Sequence, residues 1–109
     1  MIVEYEKRGR TAVITLNRPE ARNAVSGELA QALEEAIDKL EADDDVWVGI
    51  LAGKGPVFCA GADLKAVASG KANLGTSRGG FGGFVTLERT KPVIAAVEGP
   101  AVAGGCELV

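Results

Sequence analysis

Near the end of the chain, in VEGPAVAGGCELV (residues 97 to 109), Gly104 and Gly105 stand within one helical turn of Glu107. Glycines leave the backbone open to close approach, and a carboxylate beside them can orient a water or carry a proton. A second stretch of similar kind, PVFCAGADL (residues 56 to 64), sets Gly61 between Ala60 and Ala62 and ahead of Asp63. Each stretch leaves an apolar run, turns through small residues and enters helix-forming sequence. Each is therefore suited to present unpaired amide N–H groups at a strand-to-helix turn. Two such amides converging on one point would bind an oxyanion. Taken one at a time, the same glycines serve tight turns and close packing equally well.

The chain has no histidine, so it lacks the usual general base near neutral pH and the commonest metal ligand. Its two cysteines, Cys59 and Cys106, form no framework, and no CxxC or HExxH pattern occurs. Small, buried, reduced thiols and no metal site are expected. Gly75-Thr76-Ser77-Arg78-Gly79 fits the letters of a GxSxG nucleophile elbow, but no apolar strand leads into it and no histidine exists to activate Ser77. The GKG at residues 53 to 55 lacks the spacing of a phosphate loop, and GxGxxG is absent. Catalysis must rest on carboxylates, backbone amides or a bound cofactor.

With 109 residues, 47% of them hydrophobic, the chain has the size of one domain with a core of its own. Twelve Lys and Arg are scattered among 15 acids for a net charge of −3. Nucleic acid, which needs a clustered basic face, is not an expected partner. No apolar run reaches the roughly 18 residues of a membrane span, and MIVEYEKRGR carries charges where a signal peptide would be apolar. The expected location is cytoplasmic.

The elements that must position these residues follow from periodicity. VEYEKRGRTAVITLN alternates around Gly9-Arg10 and predicts a β-hairpin. Asn17-Arg18-Pro19 ends it. Ser26 is placed to cap a helix whose Leu29, Leu33, Ile37 and Leu40 keep helical spacing, with Glu34, Glu35, Asp38 and Glu41 as its solvated face. VWVGIL (residues 46 to 51) and VIAAV (residues 93 to 97) predict strands of a sheet buried on both faces. Between them, Ser69 to Gly83, with Gly70, Gly75, Gly79, Gly80, Gly82 and Gly83, reads as a long loop behind which a helix and strand resume. The class is α/β with parallel crossings, and no internal repeat is present.

Read together, NRPEARNAV (residues 17 to 25), GPVFCAGADL (residues 55 to 64) and KPVIAAVEGPAVAGGCEL (residues 91 to 108) resemble the enoyl-CoA hydratase/isomerase, or crotonase, superfamily. The resemblance implies a crotonase-like α/β fold with a β-β-α spiral core, of which residues 1 to 109 are the N-terminal part of a single truncated domain. It implies an acyl-CoA thioester whose carbonyl is held by the amides of Ala62 and Gly104. Ala21, Arg22 and Ala24 would lie near the nucleotide, and Ala60, Asp63, Leu64 and Gly105 would line the remaining contacts. Glu107 would hold and activate water, with a second glutamate supplied from beyond Val109. On the residues alone, Glu107 also fits an exposed helix carboxylate, and Asp63 better fits a cap for the helix that follows it.

The implied reaction is hydration of a 2-enoyl-CoA, with double-bond isomerisation or another acyl-CoA reaction of the family as the alternative. A further alternative is an acyl-CoA-binding fragment without turnover. No cofactor is implied beyond the coenzyme A of the substrate, and the likeness implies a homo-oligomer, trimer or hexamer. Lacking the second carboxylate, the 109 residues alone are expected not to turn over.

Overall fold

The alternating opening does form a hairpin in the computed structural model, which describes residues 1–69 and 73–109. Strand β1 (Val3–Arg8) pairs antiparallel with β2 (Thr11–Leu16), Val3 opposite Leu16 and Arg8 opposite Thr11. Pro19 then starts a single 3-10 turn (Pro19–Ala21). Ser26 caps α1 (Gly27–Ala42) by accepting the Leu29 N–H at 3.2 Å. All four apolar positions of the stripe, Leu29, Leu33, Ile37 and Leu40, are fully buried.

Helix α1 is the crossover to β3 (Val48–Gly53), which runs parallel to β2 and is followed by a short α2 (Leu64–Ala68). The chain then forms β4 (Gly75–Thr76), β5 (Gly80–Phe81), β6 (Val93–Ala96) and α3 (Gly104–Leu108). Strand β6 pairs parallel with β3, so the main sheet has the order β1-β2-β3-β6. Ile14 and Leu51, partners across β2 and β3, belong to the one buried core with the α1 stripe and Phe58. Among the described residues, no helix is long and apolar enough to cross a membrane.

Four expectations need correction. The sheet is covered on one face only. Register places Val13, Ile50 and Ile94 side by side on the face opposite Ile14 and Leu51, and Ile94 is 57% exposed. Strand β3 starts two residues later than the apolar run VWVGIL, because its partner β2 begins at Thr11, opposite Val48; Trp47, before the strand, is exposed with the Arg10 guanidinium 4.8 Å from its ring centre. The glycine-rich interval is not a plain loop: β4 and β5 pair antiparallel within it, Gly75 opposite Phe81, and turns rather than a helix follow at Phe84 to Leu87. Gly70 of that interval lies outside the described residues.

Three of the four acids of α1 are the fourth correction; Glu35 is exposed as expected. Glu34 and Asp38 both take the Arg78 guanidinium, at 2.8 and 2.7 Å. Glu41 accepts the Thr90 N–H at 2.5 Å and the Thr90 hydroxyl at 2.6 Å. These carboxylates are bound by residues 40 to 49 positions away, which helical periodicity cannot reveal.

What fixes the loops is Asn23, fully buried and in the left-handed region at φ 54. Its Oδ1 accepts the Arg18 N–H at 2.8 Å, and its Nδ2 donates to the carbonyls of Lys54 at 3.0 Å and Val57 at 2.9 Å. In any protein that carries this sequence, Asn23→Ala is expected to cost about 3 kcal/mol, because three backbone groups lose their partner together. The check is the midpoint of urea unfolding, which should fall with little change of slope.

Candidate active site

Three backbone segments meet beyond the strand ends. The chain leaving β3 and the chain leaving β6 continue side by side: the Phe58 N–H donates to Pro100 O at 3.0 Å and the Val102 N–H to Cys59 O at 3.2 Å, around a parallel bridge between Cys59 and Ala101. On its other side the same stretch pairs with the loop before α1. The Ala60 N–H donates to Arg22 O at 3.0 Å, the Val25 N–H to Gly61 O at 2.7 Å and the Asp63 N–H to Val25 O at 2.8 Å. Residues 21 to 25, 58 to 63 and 100 to 105 therefore lie in one row. Ala21, Arg22 and Ala24 sit at one side of it, Gly104 and Gly105 at the other.

The direction of the Ala62 amide follows from that pairing. Gly61 C=O and Asp63 N–H both face Val25, so alternation along extended backbone turns the Ala62 N–H to the opposite side, toward residues 101 to 104. Gly61, at φ +95, is in contact there: a Cβ on it would lie 3.1 Å from the Gly104 nitrogen. Neither the Ala62 N–H nor the Gly104 N–H has a backbone acceptor among the described residues. The two amides that the family resemblance implied thus lie on adjoining segments, with no backbone acceptor among the described residues.

The glycines also serve packing. A Cβ at Gly105 would strike the Cys59 carbonyl, and one at Gly104 would lie 2.5 Å from Cζ of Phe81. Between the β6 extension and α3, Ala103 takes φ 50 and ψ −123, a conformation that L-residues rarely adopt. Such strain persists only where the surroundings enforce it. Glu107 lies on α3 one turn beyond Gly104, with its side chain exposed, and Leu64 opens α2 at 77% exposure.

Asp63 is held differently from a free carboxylate. Its Oδ1 accepts the N–H groups of Lys65 at 3.0 Å and Ala66 at 3.3 Å, capping α2, while Arg18 Nη2 sits 2.7 Å from Oδ2. The Arg18 hydrogen bond holds the carboxyl below its ordinary pKa, against the opposing effect of burial. Arg18 also donates to Ala24 O at 2.9 Å. The sequence reading missed Arg18 as a partner. Its only signal was a place in NRPEARNAV. Cys59 is buried as expected and donates to Asn23 O at 3.1 Å, and burial pushes its thiol pKa up. Cys106 is exposed, contrary to expectation, because it lies on the outer side of α3. Ser77 is exposed in the turn between β4 and β5, not at a strand-to-helix elbow.

Comparison with known proteins adds to this geometry. The sequence model described as enoyl-CoA hydratase/isomerase matches residues 6–109. The enoyl-CoA hydratase EchA19 of Mycobacterium tuberculosis is 44% identical over 95% of this chain and 41% of its own length. Among solved structures, a probable enoyl-CoA hydratase/isomerase from Mycobacterium abscessus superposes with a TM-score of 0.91 at 50% identity, over 99% of this chain and 42% of that one. A carnitinyl-CoA hydratase from Mycobacterium avium gives 0.91 at 44% identity, over 98% and 42%. The chain spans less than half the length of each.

Two outcomes are expected from the local geometry. Ala103→Gly should stabilise by about 1 kcal/mol, since relief of the positive-φ strain exceeds the entropy lost with glycine. Urea unfolding measures this directly. Asp63→Asn should destabilise by about 2 kcal/mol at pH 7. Because the folded pKa of Asp63 is depressed, its contribution is full above the unfolded value of about 3.9 and is lost as pH falls through the folded value. The difference between wild type and variant should therefore shrink below about pH 4.

Proposed function

The chain belongs to the enoyl-CoA hydratase/isomerase family, and on that premise we propose that it carries the oxyanion site and one of the two carboxylates of a 2-enoyl-CoA hydratase. Its fold is the crotonase-like α/β arrangement of the solved hydratases it resembles. The observation that supports the proposal is the pair of amides, Ala62 and Gly104, on adjoining segments and without a backbone acceptor among the described residues.

In this reading the thioester carbonyl accepts both N–H groups. Conjugation carries electron density from the C2=C3 bond onto that oxygen as water attacks C3, and each preformed donor is worth roughly 3 kcal/mol at that point. Glu107 holds the attacking water and takes its proton. A proton is then delivered to C2 on the same face, by a second acid that the family resemblance puts beyond these residues. Two acid–base groups are needed because one proton leaves oxygen while another reaches carbon. The nucleotide end of the substrate runs along Ala21, Arg22 and Ala24, which the bond from Ala60 to Arg22 holds beside the amide row. The reaction asks for no prosthetic group, and assembly as a homo-oligomer belongs to the same proposal.

Isomerisation uses the same oxyanion site with protons moved between carbons, and the names of the relatives reported above favour hydration over it. In a protein carrying this sequence, Glu107→Gln should keep affinity for a CoA thioester and lose about a hundredfold or more of crotonyl-CoA hydration, because the amide preserves shape without accepting a proton. Unchanged turnover would reject the assignment. Replacing the Ala62 amide by a backbone ester should lower kcat by about a hundredfold, and a folded ester variant at full activity would place the carbonyl elsewhere.

A further inference from the structure

We infer that Phe81 and Arg78 are positioning residues for the Gly104 amide, so that the β4–β5 hairpin acts as a brace between α1 and α3. The inference rests on the proposed function in one respect: that the Gly104 N–H is a donor to the thioester oxygen.

The brace is fixed at one end by charge. Arg78, in the hairpin turn, donates through Nη2 to Glu34 Oε1 at 2.8 Å and Asp38 Oδ2 at 2.7 Å, and through Nη1 to Asp38 Oδ1 at 3.3 Å. Glu34 and Asp38 are one helical turn apart on α1, so a single planar fork can span both. The turn is stiffened from within: the Gly79 N–H donates to Thr76 Oγ1 at 2.8 Å and the Thr86 hydroxyl to Arg78 O at 3.1 Å.

At its other end the brace meets α3 twice. The Phe81 ring occupies the place a side chain on residue 104 would take, and Gly82 lies against Leu108, one helical turn further on. At the next residue, Gly105 rests on the Cys59 carbonyl. The start of α3 is thereby held at two consecutive residues, Gly104 by a ring whose own placement depends on the hairpin and Gly105 by a fixed peptide. The residue before Gly104, Ala103, is in a strained conformation that does not hold itself. The carbonyl of the peptide joining Ala103 to Gly104 accepts the Cys106 N–H at 3.0 Å and the Glu107 N–H at 3.3 Å, and the ring adds the wall on the side of residue 104. Removal of the wall loosens the peptide whose N–H is the donor. A misplacement of about 1 Å at such a donor costs on the order of a hundredfold in rate.

The effect of each residue should scale with its distance from the amide. Phe81→Leu, in the protein that carries this sequence, is expected to lower kcat for crotonyl-CoA tenfold or more, with KM within about twofold. Arg78→Gln should act in the same direction by about threefold, and Arg78→Lys, which restores the charge without the fork, should recover part of the loss. A readout independent of turnover is the ¹⁵N order parameter of the Gly104 amide, expected to fall from about 0.85 in wild type toward 0.6 in Phe81→Leu and Arg78→Gln. An unchanged Gly104 amide in both variants overturns the inference, whatever the reaction is. A rise in KM at constant kcat also overturns it and makes Phe81 a plain substrate contact. A loosened amide in a protein whose wild type does not hydrate enoyl-CoA supports the brace and overturns the proposed reaction. Should Phe81→Leu fail to fold, Arg78→Gln, at an exposed residue, decides the matter by the same two measurements.

Discussion

The three hydrogen bonds of the Asn23 side chain are the constraint on which the site depends. A primary amide has both donors and acceptors, so one buried side chain can satisfy an N–H from the loop before α1 and two carbonyls from the loop after β3. With those loops joined, the stretch from Phe58 to Asp63 must run between residues 22 to 25 and residues 100 to 102, and the ladder of backbone bonds on either side follows. The orientation of the Ala62 amide is a result of that ladder.

Around this row, polar contacts do work that apolar packing does elsewhere. Arg18 joins Asp63 to the Ala24 carbonyl, tying the cap of α2 to the loop before α1. At the far end of the sheet, Lys91 donates to the carbonyls of Leu40 at 2.8 Å and Asp43 at 2.6 Å, closing the C-terminal end of α1 just before β6 begins. A cation there also meets the negative end of the helix dipole. Glu41 binds Thr90 in return, so the entry to β6 is fastened to α1 in both directions. The parallel crossing thus has its ends fixed by charge and its middle by the apolar stripe.

The parts legible in the sequence were those encoded over short range. Alternation in residues 3 to 16, the Ser26 cap and the α1 stripe each reside within one element, and each appears where periodicity puts it. Small residues after an apolar run signalled open backbone at both turns, while the particular amides, Ala62 and Gly104, came from the resemblance to the family. Asn23, Arg18 and Arg78 were not legible in their roles, because each acts across a separation that no pattern spans, 44 residues for Arg78 with Glu34 and 45 for Arg18 with Asp63. Glycine misled in residues 75 to 83. Its abundance reads as a loop, yet here it lets a two-residue hairpin lie flat against α1 and α3.

Gly104 and Gly105 differ in what stands against them, and so in how much room they have to change over evolutionary time. The obstacle at residue 104 is a side chain, so volume can be traded: a smaller residue at position 81 would make space for a methyl group at 104, and the two positions can drift as a pair. The obstacle at residue 105 is the Cys59 peptide carbonyl. Every residue type carries that group, so no second-site substitution can clear it, and position 105 is closed to any side chain for as long as this fold is inherited.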